Sequence, residues 1–202
     1  MQADYTPLIK YFERFIQINP QDKIKIIESF RQVRIKKRQF IVQPNFVAAH
    51  RNFVVNGAFR SYLVGNEGED HTIAFAIDDW WITDYNSYIF QRPATMFVVA
   101  LEDSIIFQID YNKEKELKAY DHKFETFFRN IAERGLAFYQ RRLIANLTQT
   151  AEERYRDFEA NYPKIIQRVP QYALASFLGM TTEYLSKLRN IRAKKLVEDQ
   201  LK

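Results

Sequence analysis

The chain has no cysteine among its 202 residues. Disulfides, thiolate nucleophiles, cysteine-held zinc fingers and iron–sulfur clusters are therefore excluded, and a cytoplasmic setting is expected. Glycine and proline are scarce, at 5 and 6 residues, which excludes a collagen-like or linker-like chain. No window approaches 18 uncharged apolar residues, and Met1-Gln2-Ala3-Asp4-Tyr5-Thr6-Pro7 lacks a basic region followed by an apolar run. Neither a membrane span nor a secretory leader is expected. Histidine is sparse too: His50, His71 and His122 each stand alone, without the His-x-His spacing of a metal-dependent β-barrel enzyme. With no Gly-x-Ser-x-Gly, phosphate-binding loop or zinc-protease motif either, the expectation is a protein that is not an enzyme and carries no metal or cofactor.

What is present is core material and charge. Hydrophobic residues make up 47% of the chain and aromatics 15%, enough for one large domain or two small ones. The net charge of +5 is unevenly placed. From Ser61 to Asp110 nine acids face one base, Arg92, for −8; from Lys164 to Lys195 seven bases face one acid, Glu183, for +6. One part should repel polyanions and another attract them, as in a chain that joins a sensing half to a nucleic-acid half. Solvated faces of ordinary elements would give the same blocks.

Apolar spacing of three and four through Leu8, Tyr11, Phe12, Phe15 and Ile16, and again through Ile24, Ile27 and Phe30, predicts two short helices, the second opened by Pro20 behind an Asn19 cap. Short β-branched and aromatic runs follow between Val33 and Ile109. They are separated by Gln43-Pro44-Asn45, Asn56-Gly57, Gly65-Asn66-Glu67-Gly68 and Arg92-Pro93, which predicts an antiparallel sandwich or barrel with a hairpin at Gly65 to Gly68. From Asp121 a helix of roughly 26 residues carries apolar side chains on more than one face. It needs two partners, and a second copy of the chain is the economical one, with Phe124, Phe127, Phe128, Ile131 and Phe138 as the expected interface; burial wholly within its own domain is the alternative. Thr150-Ala151-Glu152-Glu153 is a capping box. The domain boundary is placed there, giving a sensor domain of residues 1–147, with a dimerisation helix over about 121–147, and a DNA-binding domain of residues 148–202.

The segment from Pro170 to Arg189 reads as helix, turn, helix. Ala175 is small where the helices cross, Gly179 permits a left-handed backbone, Thr181 or Thr182 caps the second helix, and Leu185 and Leu188 form its buried face. Thr181, Thr182, Glu183, Ser186, Lys187 and Arg189 are then the candidate DNA-binding residues, with Glu183 and Lys187 one turn apart and suited to base edges. Arg192, Lys194 and Lys195 would add non-specific attraction. An ordinary helical hairpin with a weak Glu183–Lys187 surface pair is the bland alternative.

On these residues the chain resembles the Crp/Fnr family of bacterial transcription regulators, especially the divergent branch common in Bacteroidetes. Phe53-Val54-Val55-Asn56-Gly57-Ala58-Phe59-Arg60, the stretch from Arg92 to Ile109, Ala151-Glu152-Glu153-Arg154-Tyr155 and the segment from Ala175 to Leu188 carry the likeness. The resemblance implies an α+β fold: an N-terminal double-stranded β-helix (β-roll) of cyclic-nucleotide-binding shape with flanking helices, a long dimerisation helix, and a C-terminal winged helix-turn-helix. No strand pair for the wing is visible, and the tail from Ile191 reads as helix. Relatives that bind cyclic AMP use a Gly-Glu and an Arg-Ser or Arg-Thr at a short helix N-terminus; here Asp79-Trp80-Trp81-Ile82-Thr83-Asp84 has no glycine, and Ala94-Thr95 stands at the arginine position. Cyclic-nucleotide binding is therefore not expected. Trp80, Trp81, Tyr85, Tyr88, Arg92 and Thr95 are the candidate effector pocket, with core packing as the competing role of the two tryptophans.

The function expected is a homodimeric, sequence-specific DNA-binding transcription regulator with a degenerate sensor. Its partners would be double-stranded DNA with a palindromic operator, a second copy and an unidentified small-molecule effector, with RNA polymerase a further candidate and no membrane. The alternative is an effector-binding or protein-interaction scaffold with vestigial DNA binding.

Overall fold

The computed structural model describes residues 3–200, with side chains to residue 191. Helices α1 (Thr6–Glu13) and α2 (Pro20–Ser29) form as the spacing predicts. Asn19 Oδ1 accepts from Asp22 N at 2.9 Å while Asn19 N donates to Asp22 Oδ2 at 2.8 Å, and Pro20 occupies a first-turn position where no N–H is needed. Asp22, itself buried, also takes Lys123 Nζ at 2.8 Å, which ties α2 to the long helix.

Eight strands follow: β1 (Arg31–Ile35), β2 (Phe40–Val42), β3 (His50–Asn56), β4 (Phe59–Val64), β5 (Asp70–Ala76), β6 (Trp81–Ile82), β7 (Phe97–Ala100) and β8 (Ser104–Asp110). They pair antiparallel in two four-stranded sheets, β1-β8-β3-β6 and β2-β7-β4-β5, the expected β-roll. The β4–β5 hairpin turns through Gly65 to Gly68, closed by Gly65 N to Glu69 O at 2.8 Å. At the β3–β4 turn Gly57 has φ +139°, and a Cβ there would meet Ser104 Oγ at 2.1 Å. Only glycine fits. Val54, Phe59, Val98 and Ile106 fill the roll between the sheets.

The rest of the described chain is helical: α3 (Tyr85–Phe90) between β6 and β7, then α4 (Tyr111–Tyr120), α5 (His122–Thr148), α6 (Ala151–Asn161), α7 (Pro163–Arg168), α8 (Gln171–Leu178) and α9 (Thr182–Gln200). Thr150 and Glu153 form the capping box of α6 in both directions. Two corrections follow. No strand follows β8 among the described residues, and α9 runs unbroken through the stretch where a hairpin could lie, so the expected wing is not formed there. The second concerns α5. Phe124, Phe127, Phe128 and Ile131 are buried in their own chain, where Phe12 of α1 stacks on Phe127 at 3.7 Å and 11°. Phe138 packs on Trp80 and Tyr162 at 5.9 Å each. The first four are therefore not free for a second copy, because α1, β3 and β8 of the same chain already cover them, whereas Phe138 stays half-buried beside Trp80 and Tyr162.

The C-terminal helices sit against the sheet that ends in β5. Ala58, Phe75 and Ile77 share one core with Tyr155, Phe158, Ile165, Leu174, Phe177 and Leu185. Ser176 Oγ of α8 accepts from Thr72 N and donates to Asp70 O, both at 2.8 Å. Arg168 of α7 reaches Asp78 at 2.8 Å and also pairs with Glu102.

Candidate nucleic-acid interface

The geometry of α8 and α9 follows from a few steric facts. Ala173, Leu174, Ala175, Leu185 and Leu188 are buried between and beneath the two helices. Helix α8 ends at Gly179, φ +67° and ψ +44°, with Gly179 N donating to Ser176 O at 3.2 Å and Met180 N to Ala175 O at 3.0 Å. That left-handed residue reverses the chain without the Cβ clash another residue would meet. Of the two candidate caps, Thr181 performs the role: its Oγ1 accepts from Tyr184 N at 3.2 Å.

Two adjacent stripes then lie on the open side of α9, Glu183, Lys187 and Asn190, and Thr182, Ser186 and Arg189, each stepping by four and three. Glu183, Lys187, Arg189 and Asn190 are exposed, and Thr182 and Ser186 half-buried. Gln171, at the start of α8, lines one shallow groove with Thr182, Glu183, Ser186, Lys187 and Asn190, Arg189 lying outside it, and donates from Nε2 to Thr182 O at 3.4 Å. Sequence reasoning missed Gln171 and Asn190. Asn190 lies one helical turn beyond Ser186 and was readable from the spacing alone; Gln171 needed the helix crossing. Glu183's carboxyl is held below the usual range by its own backbone N–H and by Thr181. Arg168, counted in the basic block, is neutralised internally by Asp78 and Glu102. Of the more distal bases expected to attract DNA, Arg192, Lys194 and Lys195 lie outside the residues whose side chains are described.

The six residues expected to line an effector pocket are not brought together. Adjacent residues at a strand point to opposite sides, so Trp80 turns to Phe138 and Tyr162 whereas Trp81 enters the aromatic core with Phe53 at 5.2 Å and Phe30 at 6.2 Å. Tyr88 is buried and donates to Glu114 Oε2 at 2.9 Å, and burial beside that carboxylate pushes its hydroxyl pKa far up. Tyr85 lies near Arg51, whose guanidinium sits 5.3 Å from its ring, 5.4 Å from Tyr88 and 5.0 Å from Phe128. Arg51 Nη2 donates to Glu114 Oε1 at 3.1 Å and Lys118 Nζ reaches the same oxygen at 3.0 Å. Arg92 and Thr95 are at the surface. The interior around these residues is thus a packed ionic and aromatic plug, with Arg51 held by Glu114 and the surrounding rings, rather than a cavity lined by the six.

The short helix between β6 and β7 carries its own anion. Asp84, fully buried, accepts from Ser87 N at 3.0 Å and from Thr95 N at 3.1 Å. The helix N-terminus that would favour a phosphate is occupied by this carboxylate.

Comparison of the whole chain with solved structures gives a consistent class. FixK2 from Bradyrhizobium japonicum superposes with a TM-score of 0.73 at 16% identity over 82% of this chain and 85% of its own. CLP from Xanthomonas campestris, described as a c-di-GMP-responsive global regulator, gives 0.68 at 12% over 88% and 94%. A Crp/Fnr-family regulator described as putative, from Eubacterium rectale, gives 0.67 at 15% over 88% and 85%. No family model matches the chain, and no curated protein matches it in sequence. The fold is that of the Crp/Fnr-type regulators, a β-roll of cyclic-nucleotide-binding shape followed by a long helix and a helical C-terminal part.

Proposed function

We propose that the chain is a homodimeric, sequence-specific DNA-binding transcription regulator, with residues 1–147 as sensor and residues 148–202 as DNA-binding part. The observation that carries this reading is the turn at Gly179: it fixes α9 against α8 through Leu174, Leu185 and Leu188 and leaves Thr182, Glu183, Ser186, Lys187, Arg189 and Asn190 facing outward on a surface helix. A helix so presented fits the major groove. Lys187 and Arg189 can donate to guanine O6 and N7 or to phosphate, Gln171 and Asn190 can pair with an adenine edge, and the ionised Glu183 can accept from a cytosine amine.

The second copy is reached through a different part of α5 than expected. Leu136, Tyr139, Leu143 and Leu147 step by three, four and four and are all exposed, Leu143 by 60% and Leu147 by 77%. Those steps span eleven residues, the repeat of a right-handed two-helix seam rather than of a heptad coiled coil. A palindromic site requires the paired copies to present their two α9 helices to successive major grooves, about 34 Å apart. The sensor is degenerate toward cyclic nucleotides, because Asp84 fills the helix N-terminus and the Arg51 guanidinium is already neutralised by Glu114.

The test is anisotropy titration on fragments selected from genomic DNA. Lys187→Ala should weaken the preferred site by roughly 1–3 kcal/mol more than random DNA. Equal losses on both would remove Lys187 from base readout, and failure to retain any fragment at low salt would overturn the DNA reading.

A further inference from the structure

A cleft of about 520 Å³ opens between the C-terminal half of α5 and the helices α6 and α8, sharing no lining residue with the groove along α9. Its size falls within the range of small-molecule sites. The lining combines aromatic rings with an excess of positive charge: Phe158 and Tyr162 lie tilted against each other at 5.1 Å on one side, and Arg141, Arg142 and Arg154 outnumber the single acid, Asp157. That acid is already engaged, accepting from Gln149 Nε2 at 2.8 Å. Arg154 donates from each of its three nitrogens, to the carbonyls of Leu178, Gln149 and Gly179. Arg142 differs. Its Nη groups reach the carbonyls of Ile73, Thr72 and Phe177, but its buried Nε–H has no hydrogen-bond partner. A buried unsatisfied donor on a cation is costly unless an acceptor arrives.

We propose that this cleft binds a small amphipathic organic anion, an aromatic carboxylate or sulfonate, with its charged end on Arg141 and Arg142 and its ring on Phe158 and Tyr162. The charge excess selects an anion, and the aromatic side selects a flat apolar body over inorganic phosphate. Arg142 gives the site a consequence. Its three carbonyl partners belong to β5 and α8, so an anion that draws the guanidinium toward the cleft weakens the attachment of the helix-turn-helix to the sheet. This names an effector class for the regulator of the preceding section, and rests on that reading only for its effect on DNA.

The experiment is equilibrium dialysis of the full chain against 8-anilinonaphthalene-1-sulfonate, with no DNA present, so that its failure is separate from failure of the DNA reading. One dye per chain is expected. Arg141→Ala, at an exposed side chain, should weaken binding at least tenfold without lowering the melting temperature, and Ala145→Trp, which fills the cleft, should abolish it. Absent saturable binding, or binding indifferent to both substitutions, overturns the proposal. So does dye that disappears with Leu143→Glu but not with Arg141→Ala, which would place it on the apolar stripe of α5. Binding confined to a monomeric Leu143→Glu variant would assign the cleft to the second copy and equally sink the idea.

Discussion

Glu114 is the residue on which most of the interior polar chemistry converges. Its two oxygens take Arg51, Tyr88 and Lys118 where β3 meets α3, α4 and α5, with Glu114 and Arg51 both buried. Removing one partner of a buried pair strands the other charge in a poor solvent, a loss of about 3–5 kcal/mol, whereas replacing both with apolar groups is often close to neutral. Glu114→Ala should therefore lower the melting temperature by roughly 6–20 °C, and the double variant Arg51→Met/Glu114→Leu should recover most of it. A single variant that melts within about 2 °C of the native protein would show that the pair is solvated after all. Nothing in the sequence marks this cluster. Arg51, Tyr88 and Glu114 come from a strand and two helices far apart in the chain, and a lone buried charge looks like any surface charge until its partner is placed. Gly179 and Thr150 were legible because their jobs are local, settled within four residues of backbone.

At the scale of elements, α5 shows what periodicity can and cannot decide. Two apolar faces were readable and two partners were inferred, but the assignment of faces depended on knowing that α1 lies over Phe127. The larger aromatics went to the chain's own core, and the less conspicuous Leu136, Tyr139, Leu143 and Leu147 were left outside. Leu143→Glu should convert a dimer to a monomer in analytical ultracentrifugation at micromolar concentration, with the melting of the monomer itself little changed because the side chain is already exposed. A persistent dimer would move the interface elsewhere. The junction of α7 with the roll is electrostatic in a way that pH can read. Burial works against ionisation of Asp78, but Arg168 and the Gly57 N–H outweigh it and hold the carboxyl below its usual value. A depressed carboxylate pKa contributes stability that is fully present above about 3.9, the unfolded value, and is lost as pH falls through the lower folded one. Asp78→Asn should cost roughly 1 kcal/mol or less between pH 5 and 7, since its side chain is 40% exposed and solvent screens the pair. The gap should close below about pH 4. A gap that stayed constant down to pH 2.5 would take the ionised Asp78 out of the junction.

For the molecule as a whole, the small net charge conceals a division of labour. Asp84 is buried at the N-terminus of α3, the spot where a phosphate would otherwise be favoured. Millimolar cyclic AMP should leave the melting temperature unchanged; a saturable rise would overturn the occupied-cap argument. On operator DNA the dimer should lose affinity on the order of a thousandfold between 50 and 200 mM salt, as expected when several lysines and arginines displace counterions. A flat salt response would favour a scaffold over a regulator.

The position of β5 gives the two halves a mutual obligation. It is the last strand of its sheet, and its outward backbone groups at Asp70, Thr72 and Ile73 are taken by Ser176 and Arg142 rather than by another strand. Lifting the C-terminal helices away would bare an unpaired strand edge beside Phe75 and Ile77, a ready template for strand addition between molecules. The C-terminal helices thus double as a guard against aggregation: a chain severed at Thr148 should precipitate or form intermolecular sheet, and any loosening of the docking would have to keep that edge exposed only briefly.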